Sequence, residues 1–350
     1  MIGVDAPGGY PMKSICIEEI GKITIKEQEL PVRGEGEALL KLLYGGICGS
    51  DLSSYKGKSP YVSYPRVPGH EFSAQIVEID DNDLGLKAGM IVTCNPYFNC
   101  GHCYSCERGM YNCCMTNQTM GVQREGAFSE YITMPIERIY DGKEIPADVL
   151  AMIEPFCISY HGMKKAKIQP GEQVLVIGAG TIGVLAAVAA KRMGAEVTIC
   201  DVSQKKLDYA KEHFGVDHLL LNSSPEDSAA EVNRLTDGRG FDVVAEAVGL
   251  GSTFLNCIEA AAFGGRMVQI GVGKQTPEFD FTMIQKKELQ IFGSRNALKE
   301  DFLQLIEWVN NGEVDLRPLL TKEYSYLDAE KAFRDLDENN ASILKIVFKF

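Results

Sequence analysis

Cys100, Cys103, Cys106 and Cys114 form a C-x2-C-x2-C-x7-C run broken by Gly101 and Gly109. Spacing of this kind describes a thiolate cage for zinc. Four soft sulfurs leave the ion no open coordination position, so such a site staples a lobe and performs no chemistry. Four cysteines serving only as small buried hydrophobes have no reason to be so regular. An iron–sulfur run also opens C-x2-C-x2-C, but it closes after three residues and a proline; here seven residues intervene. Cys113, beside Cys114, is an alternative fourth ligand on spacing alone.

A second set of metal-ligand types is dispersed: Cys48 in GGICGSD, His70 and Glu71 in VPGHEF, and Glu154 in MIEPF. Thiolate, imidazole and carboxylate are the ligand types of an open, catalytic zinc site. Each alone reads as a buried cysteine, a core histidine or a solvated acid. Together they point to a second metal. The third constellation is GAGTIG, with Gly178, Gly180 and Gly183 directly after the apolar run QVLVI and directly before a helical pattern. In that strand–turn–helix setting it is a dinucleotide fingerprint, in which pyrophosphate sits on the helix N-terminus. Asp201 closes the next strand, where a carboxylate accepts the adenosine ribose hydroxyls and repels a 2′-phosphate, so NAD is expected rather than NADP.

The elements that must position these residues change texture along the chain. From Lys13 to about Ile139, short apolar stretches (SICIEE, ITIKEQEL, EALLKLLY, FSAQIVEI, MIVTC, FSEYITM) are separated by glycine, proline and acidic turns, which predicts a β-rich domain. After Glu154, strands (QVLVI, EVTIC, HLLL, DVVAEA, RMVQI) alternate with helices such as TIGVLAAVAAKRM and SQKKLDYAKEHF, which predicts a doubly wound parallel sheet. A helix, DFLQLIEWVNN, and a strand, ILKIVFKF, end the chain.

Two domains are expected at 350 residues. No run approaches the roughly 20 apolar residues of a membrane span, and the N-terminus has no basic region leading into an apolar stretch. A cytoplasmic protein is expected, and the eleven cysteines then indicate a reducing compartment. A formal charge of -13 argues against nucleic acid as a partner. Residues 1–11, MIGVDAPGGYP, read as a loose extension.

GGICGSD, PGHE, CGHCYSCERGMYNCC, GAFSEY, MIEPF and GAGTIG occur in the order seen in zinc-dependent medium-chain dehydrogenases, and from Met12 on the whole chain resembles that family. The sorbitol and threonine dehydrogenase branch is the most similar, with SYPRV at 63–67 and GSRNA at 293–297 shared with bacterial sugar-acid members. The resemblance implies an α/β chain with a GroES-like catalytic domain over 1–158, including a structural zinc lobe at about 95–116. A Rossmann NAD-binding domain would follow over 159–297, and 298–350 would return to the first domain. It implies two zinc ions per chain: a structural one on the four cysteines, and a catalytic one on Cys48, His70 and Glu154. Glu71 would be an outer or transient ligand, and Asp51 would orient the histidine.

By the same matching, zinc acidifies a substrate hydroxyl and hydride passes to NAD. Ser50 would take the proton. Ser53 stands where this branch often has a histidine, so release to solvent would use water, the cofactor ribose or Glu71. Ile182, Lys206, Gly271, Val272, Ser294 and Arg295 would line the cofactor, and Lys345 would approach its pyrophosphate. The implied substrate is a small polyhydroxylated secondary alcohol, a sugar acid such as L-galactonate ahead of a sorbitol-type polyol or L-threonine. Arg66, Arg124 and Arg295 would be carboxylate clamps, with Gln123, Tyr97 and Phe128 as further pocket residues. A homodimer or homotetramer is implied. A non-catalytic NAD-binding regulator is the alternative of a different class, and loss of the catalytic ligands would be its sign.

Overall fold

The structure, a computed structural model, describes residues 11–273, 275–339 and 342–350, so the extension read at the N-terminus lies, Pro11 apart, outside the described residues. The chain divides into two compact units, one ending at Glu154 and resuming over Ile306–Phe350, the other Pro155–Leu305. These crossings differ by several residues from the expected 158 and 298. Both fall inside continuous helices, Ile153–Lys165 and Lys299–Asn310, where no linker composition marks them.

In the first unit the apolar stretches become mainly antiparallel strands, Leu320–Ser325 and Lys345–Lys349 alone pairing parallel among the described strands of this unit. A sheet is built in the order Leu320–Ser325, Lys345–Lys349, Glu37–Gly46, Glu71–Glu78, Ile91–Cys94 and Ile139–Asp141, with Tyr131–Pro135 also paired to Glu37–Gly46. Met12–Glu19 and Lys22–Gln28 form a separate hairpin. Alternating inward residues, among them Leu40, Leu42, Phe72 and Ile76, meet Ile15, Ile17, Phe128, Phe333 and Phe348 in one buried core. Register matters for the site: Gly46 pairs with Glu71 on one side and Val347 on the other, which brings the segments around residues 48, 70 and 345 to one sheet end.

The second unit is a six-stranded, wholly parallel sheet in the order His218–Leu221, Glu196–Asp201, Gln173–Ile177, Phe241–Glu246, Ala261–Gln269, Gln290–Gly293. The chain order reverses beside Gln173–Ile177, the first strand of this unit, so the switch point lies between it and Phe241–Glu246. No helix among the described residues is long and apolar enough to cross a membrane.

Candidate metal centres and cofactor site

The four-cysteine lobe is built on a short helix, Tyr104–Glu107, and a 3-10 turn, Tyr111–Cys113. Cys100, Cys103, Cys106 and Cys114 bring their sulfurs within 4.8 Å of one another. Cys103 Sγ lies 3.6 Å from Cys106 Sγ and 4.0 Å from Cys114 Sγ. Four sulfurs bound at ~2.3 Å to a tetrahedral zinc are ~3.8 Å apart, so the cage has the right size. Cys113 is outside this group and Cys114 is in it. The backbone also prepares the thiolates. The His102 N–H lowers the Cys100 thiol to about 6 and the Met115 N–H lowers Cys103, while burial raises Cys106 to about 11.

At the other site, Cys48 precedes the helix Gly49–Tyr55 while His70 and Glu71 enter the strand Glu71–Glu78. Donor atoms of Cys48, His70 and Glu71 lie within 4.8 Å of one another. His70 is buried, and its Nδ1 has no hydrogen-bond partner among the described residues. A soft thiolate, a ring nitrogen and a carboxylate converging with an orphaned buried imidazole atom fit a zinc ion. Asp51 is fully buried and joins the two ligand-bearing segments through the backbone: its Oδ2 accepts from Cys48 N at 2.9 Å and its Oδ1 from Gly69 N at 3.2 Å. The expected direct hold on the histidine is absent, since Asp51 Oδ1 lies 3.9 Å from His70 Nδ1, beyond hydrogen-bond range. Ser50 Oγ is 3.5 Å from His70 Nε2. Ser53 Oγ donates to Gly49 O at 2.9 Å, turned onto its own helix.

The acids divide in an unexpected way. Glu71 receives the Lys345 ammonium on both oxygens, at 2.8 and 2.6 Å, and the same ammonium donates to Ile47 O at 3.2 Å. Lys345 is buried. All three of its protons are engaged, so the expected contact with a pyrophosphate is corrected: the ammonium balances the metal-site acid. Glu154, in the first turn of the helix Ile153–Lys165, is buried and hydrogen-bonded to the Tyr97 hydroxyl. It is not in the tight group of donors.

Burial raises the Glu154 carboxyl to about 7, against the pull of His70. Burial alone would lower the His70 ring, but Asp51 and Cys48 outweigh it and hold the ring well above its ordinary value. Both groups are therefore protonated in the metal-free site at pH values below about 7 and must lose those protons to act as ligands. Zinc titrated into metal-free protein at pH 6.5 is expected to release protons, and its affinity to fall as the pH drops. Calorimetry in two buffers of different ionisation enthalpy measures this, since released protons make the observed heats differ; equal observed heats in the two buffers would contradict it.

In the second unit the fingerprint glycines are required by contact. A Cβ on Gly183 would lie 1.6 Å from Gly178 O, and Gly178 itself has φ +107°. Gly180 caps the helix Thr181–Arg192, whose first N–H groups would form the anion cradle of a bound dinucleotide. Asp201 Oδ2 accepts from Ala179 N at 2.7 Å and Oδ1 from Ser203 N at 2.9 Å, so this carboxylate also shapes the glycine turn. The Ile182 carbonyl accepts from Ser159 Oγ at 2.8 Å. Lys206 stands in the first turn of the helix Gln204–Phe214, where its N–H donates to the capping Ser203 hydroxyl. Gly271 and Val272 follow Ala261–Gln269, and Val272 is exposed. Ser294 N donates to Gln269 O at 2.9 Å and its Oγ has no partner among the described residues, while Arg295 beside it is exposed.

Several pocket candidates are corrected. The Arg66 guanidinium is 2.9 Å from both Glu125 Oε1 and Ser63 Oγ. Arg124 stacks on Phe98, 3.6 Å from its ring centroid; successive strand residues face opposite ways, so this is the face opposite to Tyr97. Gln123 Oε1 accepts from Thr119 N. Phe128 is a core residue edge-on to Phe348. Tyr97 alone of these approaches the metal site.

Residues 34–144 match the alcohol dehydrogenase GroES-like domain and residues 181–311 the zinc-binding dehydrogenase domain. The chain is also 35% identical to the L-galactonate-5-dehydrogenase of Escherichia coli strain K12, over 97% of this chain and 99% of that one. It belongs to the zinc-binding alcohol dehydrogenases. Sorbitol dehydrogenase of Halalkalibacterium halodurans is 33% identical to this dehydrogenase, over 92% of this chain and 94% of that one. An alcohol dehydrogenase from Escherichia coli CFT073, solved with NADH, matches with a TM-score of 0.89 at 31% identity, covering 98% of this chain and 100% of that one. The chain is thus an oxidoreductase of the sorbitol and threonine dehydrogenase branch, with a GroES-like and a Rossmann-like domain.

Proposed function

We propose that this dehydrogenase carries two zinc ions per chain and oxidises a secondary alcohol of a polyhydroxylated substrate with NAD, the substrate being a sugar acid of the aldonate class. The observation that carries the reading is the convergence of Cys48, His70 and Glu71 in the first unit, with Glu154 buried in the same unit. Glu154 is the third protein ligand. Glu71 is already neutralised by Lys345, and a dication gains little from a carboxylate that shares its charge with an ammonium. Bound there, zinc would supply Lewis acidity to a substrate hydroxyl.

The chain's own residues do the rest. Asp51 fixes the backbone of both ligand segments, and Tyr97 holds the Glu154 carboxylate in place. Ser50, exposed and within reach of the metal-site histidine, is placed to pass a proton toward solvent. With Ser53 turned onto Gly49 O, that proton leaves through water and not through a side-chain chain. The aldonate class is supported by the 35% identity to L-galactonate-5-dehydrogenase. A second reading, a neutral polyol, is favoured by the ion pairing of Arg66 and the stacking of Arg124, which leave neither as a carboxylate clamp.

The test is kcat/KM with NAD for an aldonate, the polyol of the same configuration and L-threonine. The aldonate is expected to be best, and Arg124→Ala to leave the aldonate-to-polyol ratio unchanged. A polyol preference would select the second reading; no turnover of any of the three would overturn both.

A further inference from the structure

Glu246 is a fully buried acid outside both metal sites, the last residue of the strand that flanks the switch point of the parallel sheet. No cation pairs with it among the described contacts. Its carboxylate is instead surrounded by neutral donors. Oε1 accepts from Val248 N at 2.9 Å, Gly249 N at 2.9 Å and Thr253 Oγ1 at 2.6 Å. Oε2 accepts from Gly249 N at 3.1 Å and Gln269 Nε2 at 2.5 Å. Its backbone carbonyl takes Ile270 N and Gly271 N, both at 2.9 Å.

The backbone donors lie in two loops at the C-terminal end of the sheet, 247–250 and 270–272, while Thr253 stands in the helix Gly251–Ala260 and Gln269 ends the strand before the second loop. The first touches the fingerprint, for Ala247 N donates to Ile177 O at 3.0 Å and a Cβ on Gly178 would lie 2.7 Å from Val248 Cγ2. The second carries Gly271, where a Cβ would come within 2.4 Å of Glu246 Oε2 and 2.5 Å of Gly249 N. Gln269 completes the link by donating also to Gly271 O at 2.7 Å. In an open α/β sheet the ligand crevice lies outside the carboxyl ends of the strands at the switch point. The carboxylate therefore holds the first loop directly and reaches the second through the Gln269 amide, whose other acceptor is Gly271 O.

We infer that Glu246 is a positioning residue for the cofactor: without touching it, the carboxylate holds the 247–250 backbone directly, and the 270–272 backbone through Gln269, in the shape that admits the dinucleotide beyond its adenosine half. The inference rests on the NAD reading given above. It requires an acceptor at both oxygens, since an amide would point N–H at a ring of N–H and O–H donors, leaving them unsatisfied or pushed apart.

The test uses the full-length, zinc-loaded protein, with NADH and AMP titrated separately by calorimetry. Glu246→Gln is expected to weaken NADH about tenfold or more, the size of effect that unsatisfied buried donors produce. AMP, which occupies only the adenosine half near Asp201, should bind within about twofold of wild type. Thr253→Val, which removes one side-chain donor and keeps the carboxylate, should move NADH in the same direction by a smaller factor, and it decides the matter if the Gln variant does not fold. NADH binding unchanged in the folded variant, or NADH and AMP weakened alike, would overturn the inference. If wild-type protein bound no NADH, the functional reading would fail first and this inference with it; wild-type binding together with an unchanged variant would sink the inference alone.

Discussion

Cys48→Ala is expected to give a folded protein with one zinc per chain and turnover lowered by at least about a thousandfold, because several kcal/mol of Lewis-acid stabilisation vanish with the metal at a tenfold loss per 1.4 kcal/mol. Cys103→Ala should behave differently. Its sulfur sits 3.6 and 4.0 Å from two others in the cage. Zinc binding to a structural site is worth ~10–16 kcal/mol in isolated fingers, comparable to the whole stability of a domain at ~5–15 kcal/mol. Losing it should open the lobe and lower solubility and thermal midpoint while Cys48, His70 and Glu154 keep their own zinc. Metal analysis with thermal melting separates the variants. One zinc in the unmodified protein, or full activity in Cys48→Ala, would refute the two-site assignment.

The cysteine cage and the glycine turn were legible because their chemistry is local. A C-x2-C run closes on itself through two short turns, and GAGTIG needs only its own strand and helix, as the overlap of a Gly183 Cβ with Gly178 O makes plain. Strands with apolar periodicity were legible for the same reason. Gln290–Gly293 was not, because a four-residue edge strand with no fully buried position carries no pattern. Leu320–Ser325, largely half-exposed, escaped likewise.

Lys345 was read at the wrong partner for a deeper reason. Its contact with Glu71 spans 274 positions and depends on register through Gly46, which pairs with both Glu71 and Val347. No window of sequence contains that geometry. The arginines misled in another way: their segments reach the right region, but Arg66 is held by Glu125 and Arg124 lies on Phe98, details of side-chain direction that motif matching does not carry. Glu246 had a faint signal, an acid closing the apolar run FDVVAE, and only its ring of neutral donors gives it meaning.

NAD is expected to be preferred over NADP by about a hundredfold or more. Asp201 ends the strand Glu196–Asp201 beside the glycine turn, half-buried, with one hydrogen bond from Ala179 N and one from Ser203 N. A carboxylate has about four acceptor positions, so two remain for a ribose diol. Like charges ~4 Å apart at an effective dielectric near 20 repel by ~4 kcal/mol, which exceeds the preference claimed even after partial screening by Lys205 and Lys206 nearby in sequence. The structure adds a consequence that the charge alone does not: Asp201→Ser also removes an acceptor that shapes the turn at Ala179. The variant should therefore narrow the preference mainly by losing NAD, with KM for NAD rising and NADP gaining little, whereas Asp201→Asn, which keeps one acceptor oxygen, should retain more of the NAD affinity. Steady-state kcat/KM for both cofactors in the three proteins measures this. Equal kcat/KM for NAD and NADP in the unmodified enzyme would show that the lysines cancel the repulsion, and an Asp201→Ser variant with unchanged KM for NAD would show that the carboxylate holds neither the ribose nor the turn.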